Sequence, residues 1–268
     1  MTGYAAVVLA GGAARRMGGV DKPGRPVGGR PMLHRVLAAV ADADQRIVVG
    51  PSGPLPDGVR TTREEPPGGG PVAATAAGLA LLDPATTTVA LLAADLPLLT
   101  AAAVTELRRA LDAPATEQPH DLATEQPHDL ATEQPHASPA EQPPAPAAER
   151  EHDPAAEREH DPAAEREHDP AAERESAPTA AGSTVALACY LDADGRRQQL
   201  CAVWRLPALR AALDRLAATR GGTLDGAPVR ALLTGVAVRE VSWPGSGPPP
   251  WFDCDTDEDV RRAEEWSR

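Results

Sequence analysis

V-V-L-A-G-G-A-A-R-R-M-G-G-V-D-K-P, residues 7–23, is the stretch on which the reading of this chain turns. The apolar run from Tyr4 to Leu9 has the character of a buried strand, and it stops at Gly11-Gly12. A loop with four glycines, two adjacent arginines and a lysine follows. Glycines let a backbone come close to a ligand and turn its N–H groups inward, which makes a nest for anions. Arg15, Arg16 and Lys22 add full positive charges beside that nest. Such a loop suits the phosphates of a nucleotide. The chain has 25 arginines and one lysine, and that lysine is Lys22. In so arginine-rich a sequence, a lone lysine in this loop points to a need for a compact ammonium and not a planar fork.

Composition bounds what else the chain can be. Its 268 residues suffice for a sizeable core. The net charge of −13 is local in origin: residues 113–182 hold 17 acids and 4 arginines, which leaves 22 acids and 22 bases in the remainder. There is no general basic surface for nucleic acid. The three cysteines, Cys189, Cys201 and Cys254, form no C-x-x-C pair and read as buried reduced thiols. No cationic leader precedes the first apolar run, and the stretch from Pro71 to Ala94 is broken by Asp83-Pro84. The expectation is a cytoplasmic protein without a membrane span.

Outward from the loop, Pro31–Ala41 carries apolar residues at helical spacing, with Pro31 as a first-turn residue. Arg46–Gly50 reads as a second buried strand. Strand, helix and strand in that order predict a βαβ unit and a parallel sheet. A loop at Glu64–Pro71 leads into an Ala-rich helix from Val72 to Leu82, and Thr88–Ala94 has central-strand character. That strand stops at Asp95-Leu96-Pro97. A carboxylate at the carboxyl end of a central strand is where an α/β fold presents a metal ligand, and Thr100 is better placed than Asp95 to cap the helix at Ala101–Leu111. His34, the one histidine outside residues 113–182, reads as an ordinary side chain on a helix face.

Octapeptide repeats interrupt the pattern. Three copies of A-T-E-Q-P-H-D-L run from Ala115 to Ser138, and four of A-A-E-R-E-H-D-P from Ala147 to Pro178. With a proline in each unit and almost no large apolar side chain, this insertion is expected to be disordered. It carries six of the seven histidines, which read as solvated residues of a tether and not as a metal site. The expected organisation is therefore residues 1–112, an insertion over 113–182, and residues 183–268 of the same domain. After the insertion, strands are expected at Thr184–Tyr190, Leu200–Arg205 and Val236–Val241, and helices at Pro207–Thr219 and Leu224–Leu233. The acidic run from Asp253 onward reads first as a helix amino terminus, with Asp255 or Thr256 as cap.

The loop is neither a P-loop nor a dinucleotide fingerprint, since it lacks G-x-x-x-x-G-K-[ST] and G-x-G-x-x-G. L-A-G-G-A-A-R-R-M-G-G-V-D-K resembles the signature of nucleotidyltransferases of the molybdenum cofactor guanylyltransferase type. The resemblance extends over both flanks of the insertion. It implies a three-layer, Rossmann-like α/β fold with a mostly parallel sheet, transfer of GMP from GTP to the phosphate of molybdopterin, and Mg2+ as cofactor. It implies nucleotide binding by Leu9, Ala10, Gly11, Gly12, Ala13, Lys22, Glu65 and Asp95, with catalytic roles for Arg16, Lys22 and Asp95 and the metal on Asp95. The family's aspartate in the second loop falls on Glu65 or Glu64 here.

The resemblance also places Arg196, Arg197 and Gln198 near the second substrate. Asp253 and Asp255 stand where the family has asparagines, as candidates for the metal shell or the acceptor. Expected partners are GTP, a molybdopterin-type acceptor and other proteins of molybdenum cofactor synthesis, with no nucleic acid and no membrane. Two other readings remain open from sequence: a cytidylyl- or sugar-phosphate nucleotidyltransferase of the same fold, and a nucleotide-binding module without catalysis that uses the acidic repeats as a docking arm.

Overall fold

The computed structural model describes residues 3–11, 22–51, 53–114, 184–243 and 247–268. They belong to one compact unit drawn from residues 1–116 and 180–268. The expected disorder of the repeats, like Gly12, Ala13 and Arg16, falls outside the described residues.

Strand β1 (Ala5–Leu9) is buried at every position and has a parallel neighbour on each side, β4 (Gln45–Val49) and β6 (Thr88–Ala93). A strand covered on both faces must be apolar throughout, which accounts for its sequence A-A-V-V-L. The seven-stranded sheet has the order β5-β4-β1-β6-β8-β7-β9, where β5 is Val59–Thr62, β7 Leu187–Leu191, β8 Arg197–Arg205 and β9 Val238–Ser242. Only β8 runs against the rest. The fold is thus the mostly parallel α/β sheet expected.

Alternate residues of β1 serve two helical layers. Ala6 and Val8 face α1 (Met32–Ala39) and α3 (Ala101–Asp112), whereas Val7 and Leu9 face α2 (Gly70–Leu79) and α4 (Leu206–Thr219). Helix α2 can sit so close to the sheet because Gly78 faces Val7 and Val49. A β-carbon there would lie 2.6 Å from a Val7 methyl and 2.9 Å from a Val49 methyl. Thr100 caps α3 as expected, its side chain accepting from the Ala103 N–H. Pro31, expected in the first turn of α1, instead precedes it as N-cap, with an extended ψ of 139° that a proline reaches easily. The expected helix at Leu224–Leu233 is a 3-10 segment, Val229–Leu233. All three cysteines are buried and unpaired, as expected. Among the described residues no helix is long and apolar enough to cross a membrane.

Two elements were not anticipated. Strand β5 is the sheet's edge, and its sequence V-R-T-T has no apolar run to betray it. A hairpin joins β2 (Pro26–Val27) to β3 (Arg30–Pro31) through Gly28 and Gly29, both at positive φ as a two-residue turn requires. Beneath it Val27, Met32, Leu98, Cys254, Val260 and Ala263 form a separate small core. That core docks α5 (Asp257–Trp266), whose amino terminus is closed by a reciprocal Thr256–Asp259 capping box.

The chain leaves the described core at Pro114 and re-enters at Thr184, both at the amino-terminal edge of the sheet. Arg239 on β9 donates to the Ala110, Ala113 and Pro114 carbonyls at 2.9–3.0 Å, and Arg205 donates to the Leu111 carbonyl and the Asp112 carboxylate. Ala186 is held between Ala237 and Arg205 by backbone hydrogen bonds. Both exits are therefore secured independently of what joins them. Replacing residues 115–183 by a short Gly/Ser linker should move the melting temperature by less than about 4 °C, the size of a 1 kcal/mol change in a domain of this length; a larger fall in a thermal melt would refute this. Gly78→Ala should destabilise despite alanine's better helix propensity, because overpacking costs about 1–3 kcal/mol against a propensity gain of about 1 kcal/mol. Urea titration measures the difference, and a more stable variant would contradict the packing argument.

Candidate active site

The strand order reverses between β1 and β6, and at the carboxyl ends of those two strands the candidate residues gather. The end of β1 is fixed on both sides: the Ala10 N–H donates to the Val49 carbonyl at 2.8 Å, and the Ala94 N–H to the Leu9 carbonyl at 3.0 Å. Gly50 turns there at φ +117°, where a β-carbon would lie 2.7 Å from the Gly11 nitrogen. Only glycine fits beneath the loop at that point. These facts bear on Leu9 and Ala10, both expected among the nucleotide-binding residues. Both are buried in the sheet, and the Ala10 N–H already serves Val49, so it is not free to hold a phosphate. Gly11 is exposed and begins the loop.

The chain returns at a 3-10 turn, Lys22–Gly24. The Lys22 ammonium lies 2.5 Å from Asp95 Oδ2 and 2.6 Å from Asp255 Oδ1. Three segments far apart in sequence thus meet on one cation. Desolvation alone would lower the Lys22 pKa, but its hydrogen bonds to Asp255 and Asp95 outweigh it and hold the group above its usual value. Two further contacts fix the arrangement. The Cys254 N–H donates to the Asp95 carbonyl at 3.2 Å, and Arg25 pairs with Asp257 just past the two partners. Arg25 was not anticipated, since nothing in the sequence near Lys22 marks a link to the distant carboxyl terminus.

The carboxyl group of Asp253 is held above the ordinary carboxylate range, by loss of solvent and by the like charges of Asp255 and Asp95. Two carboxylates on one ammonium, with the charge of Asp253 felt near by, leave an excess of negative charge with hard oxygen donors, which fits a divalent cation. Among the described residues no three ligating side chains form a protein cage. An ion on Asp95 and Asp255 would therefore complete its shell from phosphates and water, as Mg2+ characteristically does.

The remaining candidates separate. Glu65 is exposed, whereas Glu64 is buried, accepts from the Gly68 N–H at 3.0 Å and keeps its second oxygen without a partner. Of the two, Glu64 is the one whose carboxylate turns inward onto the loop's own backbone. Arg196, Arg197 and Gln198 lie at the β7–β8 hairpin, on the same edge of the sheet as Asp95. Their polar groups are turned to the hairpin's own surroundings: Arg196 to Asp194, Arg197 to Glu240 at 2.7 Å and Gln198 to Asp192 at 2.9 Å. His34 bonds the Pro54 carbonyl, in keeping with a structural role.

The model of the MobA-like NTP transferase domain matches residues 6–154, more than half of the chain. The chain belongs to this family. Over 124 residues it is 36% identical to a molybdenum cofactor guanylyltransferase of Bradyrhizobium sp. (strain ORS 278), covering 43% of this chain and 58% of that protein. Over 48 residues it is 52% identical to a probable molybdenum cofactor guanylyltransferase of Haloferax mediterranei, covering 18% and 23%. The match thus spans less than two thirds of these relatives' length. Among solved structures it is similar to a molybdopterin-guanine dinucleotide biosynthesis protein A from Archaeoglobus fulgidus, with a TM-score of 0.55, 14% identity and 97% of each chain covered. It is similar also to a Mycobacterium tuberculosis H37Rv protein in complex with manganese, with a TM-score of 0.53, 16% identity, and 98% of this chain and 99% of that one covered. At such identities the likeness is one of fold.

If the carboxylates form a cation site, millimolar Mn2+ should raise the melting temperature of the native chain. Asp95→Asn should abolish that rise. An equal rise in both would show that the ion binds elsewhere.

Proposed function

We propose that this protein is a cytoplasmic nucleotidyltransferase that moves GMP from GTP to the phosphate of a molybdopterin-type acceptor, releasing pyrophosphate, within molybdenum cofactor synthesis. The observation that carries the reading is the meeting of Lys22, Asp95 and Asp255 at the carboxyl edge of the sheet, where β1 and β6 end side by side. Family membership and the names of the partial relatives support the nucleotide and the acceptor.

In the reaction, an oxygen of the acceptor's phosphate attacks the α-phosphorus of GTP and the bond from that phosphorus to the bridging oxygen breaks. The nucleophile is already anionic, so no general base is needed; alignment and charge neutralisation carry the rate. On this reading, backbone N–H groups from Gly11 onward hold the triphosphate, with Gly12 and Ala13 following. Lys22 and Arg16 neutralise the charge that develops on the α-phosphate and the departing pyrophosphate. Asp95, with Asp255, would hold a divalent ion, Mg2+ in the cell, which would screen the repulsion between the two phosphates. Residues 1–112 supply the nucleotide side and residues 183–268 the acceptor side, while the insertion at 113–182 takes no part. Proteins that make or consume the cofactor are the expected partners.

The fold is shared with a 2-C-methyl-D-erythritol 4-phosphate cytidylyltransferase from Thermus thermophilus, at a TM-score of 0.54 and 15% identity, with 98% of each chain covered, so the base is tested directly. Pyrophosphate release is measured with Mg2+, molybdenum-loaded molybdopterin, and GTP, CTP, ATP or UTP. Release with GTP alone is expected. Release with CTP alone would overturn the base, and none with any of the four would overturn the activity. Lys22→Ala should lower kcat by at least about 100-fold, the usual loss when one transition-state donor is removed.

A further inference from the structure

This chain is poor in aromatic residues, with seven in all, yet five of them gather in two clusters. Phe252 and Trp266 pack edge to face where α5 docks. Tyr190, Trp243 and Trp251 form a separate trio. Trp251 lies over Tyr190 with centroids 5.0 Å apart and planes inclined by 33°, and Trp243 stands nearly perpendicular to both. The three do not share one role. Tyr190 is fully buried and its hydroxyl donates to Glu106, so it belongs to the core. The two indoles are only half-buried and form a right-angled corner on top of it.

The position of that corner is set by the backbone. Trp243 is the first residue after β9, whose carboxyl end lies at the same edge of the sheet as Asp95. Trp251 stands three residues before Cys254, whose N–H is bonded to the Asp95 carbonyl. At most about 11 Å of chain separates the indole's backbone from that bond. Partly exposed indoles suit the holding of a flat ring, because they offer a large apolar face at low entropic cost. The hairpin groups expected to contact the acceptor are meanwhile bonded to their own neighbours.

We infer that Trp243 and Trp251 form the shelf on which the acceptor's planar fused heterocycle stacks, with its phosphate directed toward Lys22 and Asp95. The inference deepens the reading proposed above and rests on it. Trp243 and Trp251 would then decide which phosphorylated acceptor is used, while nucleotide binding is left to the loop after β1.

The test is a calorimetric titration of the full chain with a pterin bearing a monophosphate on its side chain, with ribose 5-phosphate and GTP as controls. Trp251→Leu and Trp243→Leu should each weaken the pterin phosphate about tenfold or more, the scale of one lost ring stack. Trp→Phe at either position should restore most of the binding, and the GTP affinity and melting temperature of all four variants should match the native chain. Native-like pterin affinity in the leucine variants would overturn the shelf while leaving the acceptor reading intact. Equal losses of GTP affinity and melting temperature would overturn it in favour of a purely structural role. Failure of the native chain to bind the pterin, together with pyrophosphate release in the presence of ribose 5-phosphate, would overturn the acceptor reading and the shelf with it.

Discussion

One ammonium group holds the site together. Lys22 reaches Asp95 across 73 residues of sequence and Asp255 across 233, so one atom joins three distant segments. The three partners are only partly shielded from water, so the pairs are held by convergence of the backbone more than by Coulomb energy. That convergence has separate sources. Asp95 ends a central strand, Lys22 leaves the glycine loop through a short turn, and Asp255 is brought in by the docking of α5. On the proposed reading, Asp95 and Asp255 would hold the metal ion, and Lys22 would pair with phosphate oxygens of the nucleotide.

The docking of α5 rests on modest means. Its small core is separate from the two layers that sandwich the sheet, and it is reinforced by the Thr256–Asp259 capping box and by contacts from Arg25 to Asp257 and Arg35 to Ser267. Asp253 and Asp255 therefore depend on a unit that can loosen without disturbing the sheet. Strand β1, which leads into the glycine-rich segment, is anchored more firmly, since it is fully buried and paired on both sides.

Much of this was legible in the sequence, for identifiable reasons. A fully buried parallel strand must be apolar at every position, so β1, β4 and β6 announced themselves, and Asp95 followed from its place after one of them. Lys22 stood out as the one lysine. The polar edge strand β5 carried no such mark. Availability of a backbone donor is invisible in a motif: the Ala10 N–H is bonded to the Val49 carbonyl, which only the pairing of β1 with β4 reveals. The choice between Glu64 and Glu65 likewise needed coordinates, because adjacent residues differ in direction and not in type. Arg16 and Gly12 lie outside the described residues, and their roles stand as proposals.

The arginine clasp at the opposite edge has a consequence for how such a chain can change. Arg239 and Arg205 tie down the last carbonyls of α3, and Ala186 is pinned where the chain re-enters. Both ends are knotted off on the side away from the chemistry. Unequal duplication of an eight-residue unit there adds length without adding strain, and loop closure grows only logarithmically with length. Selection on catalysis would then be blind to the repeat number, so close relatives should differ in how many octapeptides they carry while keeping the clasp.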